Sequence, residues 1–377
     1  MTRIYLNNAA SAWPKAPGVV EAVSKSLSLP PAHPGRGESS APDVVEECRY
    51  RLARLLGSSD PFRIVLCHNA THALNLAILG LSLRAEDLVV TSVAEHNSVL
   101  RPLAHASART GTRTVTIGLD EAGNLDSQAF DRALEGRPRL VALTHASNVT
   151  GRVNEVAPFF RKATAAGAVT LLDASQTLGL LPVNAQDLHA DLVAFTGHKN
   201  LRGPQGTGGL LVVEGLDLDQ FLVGGTGVRS DLRLHPADMP TRLEAGTPNL
   251  PALAGLNAAL VWLEKEGPAF AESEFRVAAR LREGLGFLPH VHLFDADPAP
   301  ARTGIVSFRI EGWDVAETAF ALDQGHGIIC RSGLHCAPLI HAAIGSAPDG
   351  TIRLSPSGAT TEAEIDFTIH AIGRLVA

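Results

Sequence analysis

At 377 residues, with 45% hydrophobic and 19% charged side chains, the chain has a globular composition and enough length for two domains. A net charge of −7 without a basic cluster argues against nucleic acid as a partner, and no apolar stretch is long enough to span a bilayer. The first residues lack the apolar core of a secretory signal, and the four cysteines follow neither a disulfide framework nor a ligand spacing, so a reduced, cytoplasmic setting without a metal site is expected.

The Pro/Gly-rich stretch 29–42 excludes a helix interior or a central strand and reads as a long loop, in which His33 and Arg36 are candidates for a pocket entrance. From Asp43 to Leu56 the residues Val44, Val45, Cys48, Leu52, Leu55 and Leu56 share one helical face, which makes Cys48 a core residue. Near-continuous apolar runs then recur at 63–67, 87–91, 139–143, 169–173 and 191–195, and Cys67 closes the first of them as a small core side chain. Alternating with helical stretches, they predict an α/β domain with a mostly parallel central sheet and a ligand at the carboxyl ends of the strands. Past residues 249–255 the character shifts. A strand at 305–310, a helix near Val315 to Asp323 and a strand at 327–329 that Cys330 continues predict a smaller α+β domain.

Chemistry concentrates on Lys199, in the run Phe195-Thr196-Gly197-His198-Lys199, 26 positions after Asp173 at the end of an apolar run. A strand-terminal carboxylate and a lysine in such a turn are what pyridoxal phosphate (PLP) requires. The lysine forms a Schiff base with the aldehyde, and the aspartate keeps the pyridine nitrogen protonated so that the ring accepts electrons. Each residue alone reads equally well as a surface lysine or a helix cap. The segment His68 to Leu76 follows a strand and opens a helix, so its free N–H groups suit a phosphate; Thr71 adds a hydroxyl there or simply caps the helix. His96, after the second strand, is placed to stack on a pyridine ring or is structural. Gln176, three residues past Asp173, is a contact for the cofactor's phenolic oxygen or a solvated loop residue. Asn148 is a partner for that oxygen or for a substrate carboxylate, or a turn residue. Arg353 matches a carboxylate clamp or a surface ion pair. In Arg331-Ser332-Gly333-Leu334-His335-Cys336-Ala337-Pro338, a short loop exposes Cys336, and His335 and Arg331 are positive neighbours that favour a thiolate.

Together these motifs resemble the class V aminotransferase superfamily of PLP fold type I, and within it the group II cysteine desulfurases and selenocysteine lyases. The likeness runs through Tyr5-Leu6-Asn7-Asn8-Ala9-Ala10, Asp173, Thr196-Gly197-His198-Lys199, Glu244-Ala245-Gly246-Thr247-Pro248-Asn249, Arg331 to Cys336 and Arg353. It implies a large PLP-binding domain at 14–255 and a small domain from 1–13 and 256–377. Lys199 would carry the cofactor, Asp173 pair with the pyridinium, Gln176 meet the phenolic oxygen and His96 stack on the ring. Ala70, Thr71, Thr196 and His198 would hold the phosphate, joined by Thr247 from the second subunit of a homodimer. Asn148 and Arg353, with Asn8 and Ala9, would bind the substrate. The implied reaction turns L-cysteine into L-alanine and leaves the sulfur on Cys336 as a persulfide for an acceptor protein. L-selenocysteine as substrate, or a class V transaminase or epimerase in which Cys336 is idle, are the alternatives. Asn69-Ala70-Thr71 replaces a common Gly-Thr-Thr, Thr196 a common serine, and Ser39 and Leu334 stand where relatives tend to carry histidine. Substrate preference and sulfur acceptor turn on the last two, whereas the first two swaps keep donors for the cofactor.

Overall fold

The computed structural model describes residues 3–30, 43–294 and 301–376. Most of the 29–42 loop, with His33, Arg36 and Ser39, lies outside the described residues. The chain opens with a short strand, β1 (Ile4–Tyr5), and helices α1 (Val19–Ser28) and α2 (Val44–Leu55). The Asp43 carboxylate caps α2 by accepting from Val45 N–H, and Cys48 is buried on the apolar face expected of it.

Strands and helices then alternate: β2 (Ile64–Cys67), α3 (Ala70–Gly80), β3 (Leu88–Ser92), α4 (Asn97–Thr110), β4 (Arg113–Ile117), α5 (Ser127–Leu134), β5 (Leu140–Thr144), α6 (Val156–Ala165), β6 (Val169–Asp173), β7 (Leu192–Thr196) and β8 (Gly208–Val212). They form a seven-stranded sheet in the order β2-β8-β7-β6-β5-β3-β4, in which only β8 runs antiparallel to its neighbours. Successive residues of one strand enter opposite cores: Val141 and Leu143 pack on one face, Leu140 and Ala142 on the other. Burial on both faces is why these strands read as unbroken apolar runs.

Helix α7 (Leu250–Gly286) runs for 37 residues and joins two cores. Leu256, Leu260 and Leu263 pack on the large-sheet core, whereas Val277, Leu281 and Leu285 belong to a second. That second core is built from β9 (Val291–Leu293), β10 (Val306–Ile310), α8 (Val315–His326), β11 (Ile328–Ile329), β13 (Thr351–Leu354) and α10 (Glu362–Leu375); β12 (Arg331–Gly333) extends its sheet, and α9 (Pro338–Ala343) sends Ile340 to the large-sheet core. An antiparallel sheet of order β12-β13-β10-β9 forms its floor, and β1 returns to pair in parallel with β11, so Ile4 and Leu6 are buried beside Ile328 and Ile352. The expected α/β architecture with a smaller second lobe is present. Cys330 lies between β11 and β12.

Three elements escaped the sequence pattern. β4 is an edge strand whose residues Arg113 to Thr116 are exposed, so it lacks an apolar signature. β8 begins with two glycines that close packing demands: a Cβ on Gly209 would sit 2.5 Å from Phe195 Cζ. In α7, Gly255, Gly267 and Pro268 mask the helical period, and a Cβ on Gly255 would lie 2.6 Å from Pro204 Cγ.

Candidate active site

The carboxyl ends of β6 and β7 meet beneath one cleft. Asp173 ends β6 and is 4% exposed; its carboxylate accepts from the Ser175 N–H at 2.9 Å and from the Ser175 hydroxyl. β7 ends at Thr196, and the chain turns through Gly197, where a Cβ would collide with Thr207 Oγ1 at 2.1 Å, to present Lys199. Burial pushes the Lys199 amine down to about 8 against the opposing charge of Asp173, with Arg353 and Arg331 reinforcing the drop and Cys336 resisting it. His198 is held at about 4 by burial, then by the charges of Lys199 and Lys15, so its ring is neutral; Nδ1 lies 3.2 Å from Ser11 Oγ.

A second set of groups comes from helix N-termini. β2 leads into α3, whose cap is Asn69: its side chain accepts from His72 N–H at 2.9 Å. This leaves Thr71 uncommitted as a cap, and its hydroxyl instead meets Ser98 Oγ at 2.8 Å beside Ala70 at the cleft. The first turn of α3 therefore offers N–H groups and a positive dipole end. His96 caps α4, its Nδ1 accepting from Ser98 N–H at 3.0 Å, which assigns any ring proton to Nε2. Desolvation and then the Lys199 charge lower His96 to about 4, Asp173 opposing and Arg331 and Arg353 adding. Just before it, Glu95 is wholly buried. Its Oε1 accepts from Ser92 Oγ at 2.6 Å and Thr144 N–H at 2.9 Å, while Oε2 has no partner.

The smaller lobe supplies cations and sulfur. Arg331 and Arg353 are directly opposed in the β12–β13 ladder. Arg353 is 1% exposed; Nη1 donates to the Asn148 carbonyl at 2.8 Å, Nη2 to Asn7 Oδ1 at 3.4 Å, and Nε has no partner. Burial and then Arg331 lower it to about 9, and the other groups that bear on it are Cys336 and Tyr5. Among the described residues no carboxylate answers this guanidinium, so the site favours an incoming anion. Asn148 is buried rather than a solvated turn, and its Nδ2 donates to the His335 carbonyl at 2.8 Å. Asn97 N–H holds the Cys336 carbonyl at 2.7 Å. Between these anchors His335 and Cys336 adopt left-handed φ of 48° and 60°, and Cys336 is exposed.

The expectation that both His335 and Arg331 charge the surroundings of Cys336 needs correction. Arg331 Nη2 lies 3.4 Å from Sγ, but His335 is buried, its Nε2 turned to Thr351 within 3.0–3.1 Å. Desolvation, then Arg353, Arg331 and His341, push His335 down to about 2, and a neutral ring adds no positive charge. Cys67, Cys48 and Cys330 have thiols pushed upward by burial, to about 12 for the latter two, so none competes with Cys336.

The N-terminal strap completes the cleft with Ala9 and Ala10. Gln176 is buried and donates from Nε2 to the Ala9 carbonyl at 3.1 Å. Asn8 uses its amide elsewhere: Nδ2 donates to the Ser355 carbonyl at 2.9 Å, and Oδ1 accepts from Trp13 N–H at 3.0 Å. Thr196, His198, Asn148, Arg353 and Arg331 line the cleft with Lys199, Asp173 and His96; Thr247 lies in a separate groove beside Arg49, Phe62, His68 and Glu244. Sequence reasoning passed over Ser98 and Glu95. The His-x-Ser spacing at a helix start signalled the first, and a carboxylate in the short turn between an apolar strand and that helix the second.

The aminotransferase class-V family model matches residues 4–367. Cysteine desulfurase CsdA of Escherichia coli is 31% identical over 391 residues, covering 98% of this chain and 93% of that protein. A protein of Methanothermobacter thermautotrophicus named probable cysteine desulfurase is 32% identical, over 97% of this chain and 92% of its own. The apo structure of the cysteine desulfurase from Thermococcus onnurineus superposes with a TM-score of 0.89 at 31% identity, covering 99% of this chain and 94% of that one.

Proposed function

The chain belongs to the class-V aminotransferase family, and on that basis we propose that it is a PLP-dependent cysteine desulfurase, taking sulfur from L-cysteine onto Cys336 and releasing L-alanine. One observation carries this reading: Lys199, Asp173 and Arg353 line one cleft with Arg331, whose Nη2 lies 3.4 Å from Cys336 Sγ, so a cofactor lysine, a pyridinium partner, a carboxylate clamp and a neighbouring thiol are grouped together.

The residues fit the cofactor. The N-terminus of α3, with Ala70 and Thr71, suits the phosphate alongside Thr196 and His198. Asp173 suits the pyridine nitrogen, Gln176 the phenolic oxygen and His96 the ring face. Bound there, PLP supplies an electron sink that makes the substrate α-proton acidic. Lys199 takes that proton on Nζ and returns it, a role suited to an amine near 8 rather than 10.5. Arg353, whose Nε lacks a partner, binds the substrate carboxylate together with Asn148. Cys336 sulfur bonds to the substrate sulfur as the carbon–sulfur bond breaks; that bond's electron pair stays with the carbon, which is protonated on the way to alanine. Arg331 orients the thiol for this attack.

The working unit we propose is a cytoplasmic homodimer in which Thr247 completes the phosphate site of the other copy, with Asn8 and Ala9 shaping the substrate end and an acceptor protein relieving Cys336 of sulfur. Supporting the first point, the Thr247 groove also presents Phe62, Leu222 and Val228. No helix among the described residues is long and apolar enough to cross a membrane. Two separate cores support a division of the kind 14–255 and 1–13 with 256–377 in outline, while α7 crosses that boundary: Leu256, Leu260 and Leu263 still pack on the large-sheet core.

Intact-mass measurement of the PLP-loaded protein after addition of L-cysteine tests the proposal. A gain of one sulfur localised to Cys336, absent in Cys336→Ala, is expected. Undiminished alanine release from Cys336→Ala would overturn it.

A further inference from the structure

We propose that Arg202 is a positioning residue for Lys199, seated on Phe270 of α7 with Glu274 one turn further along, so that the helix joining the two lobes sets where the cofactor-bearing amine stands. The inference rests on the role given to Lys199 above. Arg202 closes the turn that displays this lysine: its N–H donates to the Lys199 carbonyl at 2.7 Å, and its own carbonyl accepts from Ala16 N–H at 3.1 Å. It does so at φ 56°, a left-handed conformation in which glycine is the easier choice. The side chain accounts for an arginine here. Its Nη2 donates to the Pro14 carbonyl, and its guanidinium carbon lies 4.4 Å from the Phe270 ring centroid.

Glu274 stands one turn beyond Phe270 on the same face of α7. Arg202 and Glu274 are both buried, and each bears on the other's charge; Lys15 is the other cation that feels Arg202. Glu274 also accepts from the Gly304 backbone, where a Cβ would approach its Oε1 to 2.6 Å. Next to Gly304, Thr303 N–H binds the Gly151 carbonyl at 2.9 Å, in the loop that carries Asn148. A continuous line of contacts thus runs from the Lys199 turn, through α7, to the loop of the substrate-binding amide. Neither Arg202 nor Glu274 lines the cleft. A buried charge facing another is a poor device for stability alone, because desolvation offsets most of the attraction. Orientation of the elements it joins is the better explanation.

The test compares Arg202→Leu, Arg202→Lys and Glu274→Gln with the wild type in the full chain. It measures PLP dissociation by absorbance, kcat and KM for L-cysteine, and melting of the PLP-free protein. Arg202→Leu is expected to weaken PLP binding and lower kcat by about tenfold each, with KM changed by less than about threefold. Its melting temperature falls too, since Glu274 stays buried and loses the charge facing it, so PLP affinity and kcat are read well below that temperature. Arg202→Lys recovers most of the PLP affinity, and Glu274→Gln moves both quantities in the same direction by a smaller factor. A lowered melting temperature with PLP affinity and kcat intact would overturn the proposal, as would Arg202→Lys behaving like Arg202→Leu. Should Arg202→Leu not fold, Phe270→Leu removes only the ring beneath the guanidinium and is expected to cut kcat about threefold or more; a wild-type kcat then overturns it. A wild type that binds PLP at Lys199 yet makes no alanine would sink the desulfurase reading, whereas the Arg202 proposal would still be decided by the PLP affinities.

Discussion

Arg331 directs its guanidinium to within 3.4 Å of the Cys336 sulfur, while His335, adjacent to Cys336 in the chain, turns its ring to Thr351. The two neighbours therefore act differently. Replacing Arg331 by Met removes a charged donor from the sulfur and is expected to slow single-turnover persulfide formation by at least about tenfold, the loss of one charge-assisted hydrogen bond. Quenched-flow sampling with mass detection measures this; an unchanged rate would show that Arg331 does not assist sulfur transfer.

Lys199 captures an aldehyde only as the free amine. With its proton released near 8, the rate of PLP capture is expected to rise about tenfold per pH unit below that value and to level off above it. Arg353→Leu removes a cation that depresses Lys199, so the midpoint should move upward, toward the ordinary 10.5. Stopped-flow absorbance of PLP-free protein mixed with PLP at a series of pH values follows both; a midpoint that stays put in Arg353→Leu contradicts the coupling.

Glu95 gives a stability signature with a definite sign. Burial pushes its carboxyl from 4.5 up to about 8, Ser92 and Thr144 partly opposing and the Asp173 charge adding to the rise. The folded protein then holds a proton that the unfolded chain has released, so this group's contribution is intact below pH 4.5 and is lost as pH climbs toward 8. Glu95→Gln, neutral throughout, is expected to match the wild type at pH 5 and to melt higher at pH 8. Parallel melting curves across that range would show that Glu95 carries no such proton.

Gly208 passes so close to Asn69, the cap of α3, that a Cβ would lie 2.8 Å from its Cα and 2.7 Å from the Phe195 carbonyl. Backbone cannot yield as a flexible side chain does. Gly208→Ala is expected to cost about 1–3 kcal/mol of stability and to weaken PLP binding, because α3 must shift with the loop. Chemical denaturation and PLP titration measure the two effects; retention of both would mean that the loop has room to spare.

Where a candidate group sits at a strand end or a helix start, the sequence located it at the cleft. Asp173, Lys199, Thr71 and His96 are of that kind, since periodicity locates the element and the residue type names its use. The state of a group is another matter. His335 looked like a cation because histidine beside cysteine often is one, yet only the fold reveals Thr351 in front of its ring and the burial that keeps it neutral. Asn8 lies within a motif, but its amide serves Ser355 and Trp13. β8 and α7 stayed hidden because their glycines serve close approach to Phe195 and Pro204, a requirement of neighbours remote in the chain.

The hydrogen bond from Ala9 N–H to Ser355 Oγ joins residues 346 positions apart, and β1 likewise waits for β11. During translation the large-lobe strands can emerge and pair while residues 4–9 still lack β11 and Ser355, so the wall they form in the cleft is set only once residues 328–355 have left the ribosome. Nascent chains stalled before that point would carry every candidate residue of the large lobe and still lack a finished cleft.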